Sequence, residues 1–213
     1  MRTLIYITFI LIVQAGLYSC SSSSIDGVPV ERYIKIQDKS CIIVSKDFDI
    51  RWRYGLPEVK ATGRENIVKN VVTEHTNHCL YISLNEADDR DNVRIPLSIA
   101  TTSLSYFSAT GFSEFDIKLM DEKKFTIELS NHANGTVAGI VDKAYIYTHN
   151  NSSVDAKSLV AKVVKIYSTG DTEIKVHPVE ILDIKSTGVT NIKYFGDPQI
   201  NKSISDKSTI SKM

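Results

Sequence analysis

Near its C-terminus the chain writes nearly the same phrase twice. Ser168-Thr169-Gly170-Asp171-Thr172-Glu173-Ile174-Lys175-Val176 returns as Ser186-Thr187-Gly188-Val189-Thr190-Asn191-Ile192-Lys193-Tyr194, 18 positions on. That interval is too long for a hairpin and too short for a domain. Extended backwards, the triplets Leu104/Tyr106/Ser108, Phe125/Ile127/Leu129, Ala144/Ile146/Thr148, Val164/Ile166/Ser168 and Leu182/Ile184/Ser186 fall into register, their centres advancing by 21, 19, 20 and 18 positions. Each triplet runs into a small polar or glycine corner, such as Ser130-Asn131-His132, His149-Asn150-Asn151 or Thr169-Gly170-Asp171. Asn, Asp and Gly tolerate the left-handed backbone that a sharp corner needs. A second apolar pair follows each corner (Phe115/Ile117, Val137 with Thr136, Val154/Ala156, Ile174/Val176, Ile192/Tyr194), then a third group at Leu119, Ile140/Val141, Leu159/Val160 and Val179.

The N-terminal half shows the same preference for strands. Asp47 to Tyr54 alternates charged and apolar residues, as do Leu80/Ile82/Leu84 and Val93/Ile95/Leu97/Ile99; one face of each such strand belongs in a core and the other in water. Asn66 to Glu74 is the best helix candidate, and its Val71-Val72 suits a strand equally well. The fold class is therefore all-β. Three short strands per unit, joined by corners, form the period of one coil of a right-handed parallel β-helix. The alternative is an antiparallel β-sandwich. The constant order of triplet, corner, pair and apolar group favours the solenoid, because strands that alternate in direction have no reason to keep it. Coils would then stack at about 4.8 Å, with Gly170 and Gly188 as one corner and Ile174 and Ile192 as one core column.

The ends bear on compartment. Arg2 followed by the apolar run Leu4 to Val13 is a signal segment, too short to span a bilayer comfortably. Leu17-Tyr18-Ser19-Cys20 resembles the bacterial lipobox, so residues 1–19 are expected to be removed and Cys20 to be lipidated; ordinary secretory cleavage is the alternative. Each buried acyl methylene contributes about 0.8 kcal/mol, so a triacylated Cys20 would stay on its membrane. Ser21 rather than Asp points to the outer membrane of a Gram-negative envelope. Residues 20–32 form a Ser-rich tether, 33–200 a single β-helical domain, and 201–213 a polar tail, either an end cap or disordered.

The chain carries 25 Lys and Arg and 25 Asp and Glu, and loss of Arg2 leaves 24 basic against 25 acidic residues. No block of like charge stands out, which argues against nucleic acid as a partner. Beyond Cys20 the cysteines are Cys41 and Cys79, either a disulfide or two buried thiols.

Phe48-Asp49-Ile50 with Val59-Lys60-Ala61-Thr62-Gly63, then Ile95-Pro96-Leu97, Leu104 to Phe115 and the later Ser-Thr-Gly turns make a series within Tyr33 to Ile200 that resembles the auto-transporter adhesin head GIN domain family of bacterial envelope proteins. The closing Ile192-Lys193-Tyr194-Phe195-Gly196-Asp197-Pro198-Gln199-Ile200 is similar to the family's terminal Y-x-G-x-P signature. The chain departs from the pattern after that, with Ser203-Ile204-Ser205-Asp206 in place of a Ser-Gly phrase. The resemblance implies a β-helix in lipoproteins or secreted proteins and supplies no catalytic residues or cofactor.

Candidate chemistry is sparse. His75-Thr76-Asn77-His78-Cys79 holds metal-ligand residue types, but no second cluster completes a tetrahedral set. Glu86 to Asn92 has four carboxylates without EF-hand spacing. Asp116, Glu173 and Asp183 do not stack as the paired acids of a glycosidase would. In Arg51-Trp52-Arg53-Tyr54 the alternation turns both aromatics to the core and the arginines to water; the other use would be to stack a sugar or clamp a phosphate. The corner rows Thr169/Thr187, Thr172/Thr190, Asn150 and Asn151 are read as an outward ladder and candidate binding face for a polysaccharide or protein. The expected function is a lipid-anchored envelope protein presenting a rigid surface for adhesion, with no catalysis. A polysaccharide-active β-helix enzyme and a purely structural envelope component are the alternatives.

Overall fold

A computed structural model describes residues 28–85, 94–205 and 207–213. The signal segment, Cys20, the Ser21–Ser24 tether and the acidic stretch Glu86 to Asn92 lie outside the described residues.

The chain forms a parallel β-solenoid. Four long strands carry its body: β9 (Glu114–Leu129), β10 (Asn134–His149), β11 (Ser153–Thr169) and β12 (Thr172–Thr187), each parallel to the next. In β9 the buried positions Phe115, Ile117 and Leu119 give way to an unburied run and resume at Phe125, Ile127 and Leu129. That pause marks a corner between two walls, each burying every second residue. Phe107 of β8 (Tyr106–Ala109), Ile127, Ile146, Ile166 and Ile184 are register partners on consecutive coils. The first interval is thus 20 residues, because Phe107 and not Tyr106 is the inward centre. Leu104 is buried, but it lies in the turn before β8 begins. Counting by twos from it puts the phase one residue out.

The corners fall where polar and glycine residues punctuate the repeat. Gly111, Gly170 and Gly188 have φ of 86°, 90° and 110°, and Asn131 and Asn150 take 55° and 49°. A second column runs Phe115, Gly135, Val154, Ile174, Ile192. Gly135 stands in it because a Cβ there would lie 2.1 Å from the Phe115 carbonyl oxygen and 2.6 Å from its ring. The third apolar group is only partly inward. Leu119, Val141 and Leu159 are buried, whereas Ile140 and Val179 are exposed; Pro178 takes the inward slot opposite Ala161.

The N-terminal coils stack out of chain order. β2 (Cys41–Val44) pairs with both β6 (Cys79–Leu84) and β8, and β3 (Phe48–Tyr54) pairs with both β7 (Ile95–Thr101) and β9. The first coil of the chain therefore lies between the second and third. Cys41 and Cys79 are register partners on adjoining coils, their Cα atoms 4.5 Å apart, and a disulfide joins them. Past β7 the direction reverses: β4 (Glu58–Gly63) and β1 (Val30–Lys35) add antiparallel strands, and β5 (Val71–His75) runs antiparallel to β6. The Asn66 to Glu74 segment resolves into one helical turn, α1 (Glu65–Val68), followed by β5. Arg32 Nη1 donates to the carbonyls of Val68, Lys69 and Val71 at 2.9, 2.9 and 2.7 Å, satisfying acceptors that a helix end leaves open.

At the other end β13 (Thr190–Tyr194), β14 (Gln199–Ile204) and β15 (Thr209–Lys212) continue the parallel stacking, so the polar 201–213 tail carries a further layer of strand.

Candidate functional site

Between the inward isoleucines, alternate residues point outward and form columns of their own. One runs Ser108, Glu128, Tyr147, Tyr167, Lys185, Ser203; beside it runs Tyr106, Thr126, Tyr145, Lys165, Asp183, Asn201. The strands of the wall they cover are parallel and in register. The Tyr147 and Tyr167 rings stack at 5.0 Å between centroids and 9° from parallel. Lys185 Nζ lies 5.9 Å from the centre of the Tyr167 ring, and Lys124 Nζ lies 4.9 Å from that of Tyr145. Tyr106 donates its hydroxyl to Glu128 Oε2 at 2.6 Å. Burial, reinforced by that bond, pushes the Tyr106 phenol up to about 12. Asn201 donates to Asp183 Oδ1 at 2.7 Å, and Lys165 Nζ lies 3.2 Å from Asp183 Oδ2. The Asn201 bond and the Lys165 cation hold the Asp183 carboxyl below its ordinary value, and the Asp183 bond raises Lys165.

Two hollows flank Tyr167. One, of about 520 Å³, is bordered by His149, Tyr167, Thr169, Thr187, Ser203 and Ser205. The other, of about 400 Å³, is bordered by Lys165, Tyr167, Asp183, Lys185, Asn201 and Lys202. Side-chain size explains them: the column falls from tyrosine to lysine to serine, so the last layer leaves room above Tyr167. His149 Nδ1 lies 2.8 Å from Thr169 Oγ1, which fixes one rim. Asp183 lies between Lys165 and Asn201 on the neighbouring coils. The paired acids of glycoside hydrolysis are therefore not formed at this position.

The predicted ladder divides. Thr169 and Thr187 line the hollow beside Tyr167. Asn150 donates to Asn131 Oδ1 at 3.1 Å along the corner, and Asn151 Nδ2 lies 3.4 Å from His132 Nε2. Thr172 and Thr190 do not face outward: they are 7 % and 1 % exposed. They open the strand that carries Ile174 and Ile192, two residues on, and a period of two puts them on the same inward side. Inside, Ser168 lies 3.0 Å from Thr190, and Ser186 donates to Thr190 at 2.7 Å. This internal hydroxyl chain satisfies groups that burial would otherwise leave at a cost.

The other candidates separate as well. Trp52 is buried, and its indole N–H donates to Thr101 Oγ1 at 2.9 Å, so no face is left for a sugar. Arg51 and Arg53 are exposed and border a hollow of about 320 Å³ with Asp49 and Lys60. Tyr54, expected inward with Trp52, is exposed, because the alternation of β3 stops at the Gly55-Leu56-Pro57 break. His75 and His78 are exposed, and among the described residues no three His, Cys, Asp or Glu side chains converge on a metal position. Attention to inward positions passes over Tyr147, Tyr167, Lys165 and Lys185, and it weighs the outward Asp183 only as a glycosidase acid. Their signal was available, since Tyr145/Tyr147 bracket Ile146 and Lys165/Tyr167 bracket Ile166 one period later.

Fold and site together define a parallel β-solenoid whose candidate site is a broad, shallow wall. The chain belongs to the family described as putative auto-transporter adhesin, head GIN domain, whose model matches residues 40–198. A solved structure of a putative adhesin from Bacteroides fragilis superposes with a TM-score of 0.68 at 19% identity, covering 88% of this chain and 97% of its own. A putative lipid binding protein from Parabacteroides distasonis gives 0.53 at 21% identity, covering 88% and 98%. A putative adhesin from Parabacteroides merdae gives 0.54 at 17% identity, covering 88% and 97%. At these identities the likeness establishes the fold. No curated protein matches the chain. Among the described residues no helix is long and apolar enough to cross a membrane.

Proposed function

We propose that the protein is a lipid-anchored component of a bacterial envelope, held by Cys20 at the outer membrane. It presents the solenoid wall around Tyr167 for adhesion or ligand binding, without chemistry of its own. The observation that carries this reading is the pair of hollows at Tyr167, where an aromatic ring, hydroxyls and amines share a face that no other part of the described chain covers. Membership of an adhesin family, and a fold shared with putative adhesins of other bacteria, support the same role. The lipobox and the polar residues up to the first strand support a tethered domain whose wall stands clear of the bilayer.

Display of the full chain on bacterial cells, followed by a count of cells retained on surfaces coated with polysaccharide or matrix protein, tests the role. Retention above that of cells lacking the protein, reduced by Tyr167→Ala, is expected. Equal retention with and without the protein would refute it. Labelled palmitate incorporation that persists in Cys20→Ala would refute the anchor.

A further inference from the structure

The inward column that begins at Phe107 stays apolar through Ile127, Ile146, Ile166 and Ile184, and then it ends in a charge. Lys202 of β14 is the register partner of Ile184, so it stands on the core side of its strand, with Ile200 over Leu182 and Ile204 over Ser186 to either side. Ile200 and Ile204 are half-buried and pack against the core, as does Ile210 of β15. Lys202 is exposed. Its stem can lie over Ile184 while the amine stays in water, an arrangement that lasts only while no further layer lies above it.

The two ends of the solenoid differ. At the N-terminal end pairing turns antiparallel between β7 and β4 and between β4 and β1, and α1 packs on both β4 and β1. At the C-terminal end the parallel register runs unbroken to the last strand. Among the described residues β14 pairs with β12 alone and β15 with β13 alone. An unpaired edge of this kind is a template for another strand.

A second copy of the chain has the matching surface. Two such ends related by a two-fold axis would set edge against edge and cover Ile200, Ile204 and Ile210 of each copy with those of the other. Lys202 stands in the way. Its inward neighbours Ile184, Ile200 and Ile204 offer no carboxylate, and among the described residues it forms no ion pair. Closing the joint would bury two unpaired ammonium groups between apolar floors, which costs far more than the isoleucines return. An inward-pointing charge is one of the devices that keep an edge strand from pairing.

We infer that the C-terminal layer is an interface for a second copy of this chain that Lys202 holds shut, so that the domain stands alone on its tether.

The test is sedimentation equilibrium of the mature protein carrying Cys20→Ala, over a concentration series. With Lys202 in place the protein should be monomeric. Lys202→Ile, which continues the apolar column, should strengthen self-association at least about tenfold, and the β14 amides should exchange with solvent more slowly in its dimer. Lys202→Glu should stay monomeric, because a carboxylate facing the core guards the edge equally well. Lys162→Ile removes the same charge from β11, which is paired on both sides, and should also stay monomeric. Should the isoleucine variant fail to fold, Lys202→Ala removes the charge without added bulk and should associate in the same direction. A folded Lys202→Ile protein that remains monomeric overturns the inference, as does equal association of Lys202→Glu or Lys162→Ile. Dimers of the Lys202 protein with slowed exchange in β14, or association of Lys202→Ile without it, overturn it as well.

Discussion

Tyr147 and Tyr167 stack face to face across consecutive coils, 5.0 Å apart and 9° from parallel. The pair exists because both residues occupy the outward position after an inward isoleucine, Ile146 or Ile166, and those isoleucines are themselves register partners. An aromatic pair adds about 0.5–1.5 kcal/mol beyond the area it buries. Tyr147→Leu should cost about that much in urea unfolding and weaken binding at Tyr167 by freeing its ring. Tyr147→Phe should do neither, since the stack survives.

Gly188 lies directly over Gly170: a Cβ at 188 would fall 2.7 Å from the Gly170 nitrogen, at a φ of 110°. Gly188→Ala should therefore destabilise the domain by about 1–3 kcal/mol through backbone strain and overlap. Gly135→Ala should cost at least as much, because the added carbon would meet the Phe115 backbone. Thermal unfolding of both variants beside Gly55→Ala, where the nearest contact is an ordinary 3.4 Å, checks the ranking.

The Tyr106 phenol is raised from 10.0 to about 12, first by burial and then by its bond to Glu128. The folded state therefore keeps its proton where the unfolded chain has lost it. This contribution is fully present below pH about 10 and is lost as pH rises towards 12. Tyr106→Phe should flatten that alkaline fall in stability, measured by denaturant unfolding over the same range. An identical slope in the variant would show that other groups cause it.

The Cys41–Cys79 disulfide closes a loop of sequence separation 38. Constraint of the unfolded chain on that scale is worth roughly 4 kcal/mol. It also ties together two coils whose order in space is not their order in sequence. Reduction, or Cys41→Ser with Cys79→Ser, should lower unfolding free energy by about that amount and leave the β9–β12 body folded. Unchanged stability on reduction would contradict the bond.

The twin Ser-Thr-Gly phrases were legible because inward columns and left-handed corners admit few residue types. Gly170 with Gly188 and Ile174 with Ile192 stack as that pattern requires. Phase was harder. Leu104 is apolar and buried, but it belongs to a turn, and nothing local distinguishes it from the first inward residue of a strand. Thr172 and Thr190 deceived by polarity: a threonine beside a corner satisfies an outward ladder or an internal hydroxyl chain equally well, and only its distance from Ile174 and Ile192 reveals the side. The insertion of β2 and β3 between later coils was not legible, since any alternating strand can pair in parallel with any other. Outward tyrosines and lysines carry the candidate site, and no burial period marks them.

The claim that the Tyr167 wall is the working surface is tested most directly by nuclear magnetic resonance of the labelled mature protein carrying Cys20→Ala, with and without a soluble oligosaccharide from the polysaccharide that retains the cells. Shifts should concentrate in the Tyr147 and Tyr167 rings and in the amides of Ile166 to Thr169, Lys185 to Thr187 and Asn201 to Ser205. Shifts confined to the Arg51 and Arg53 wall, or none in the presence of bound oligosaccharide on the tyrosine columns, would contradict it.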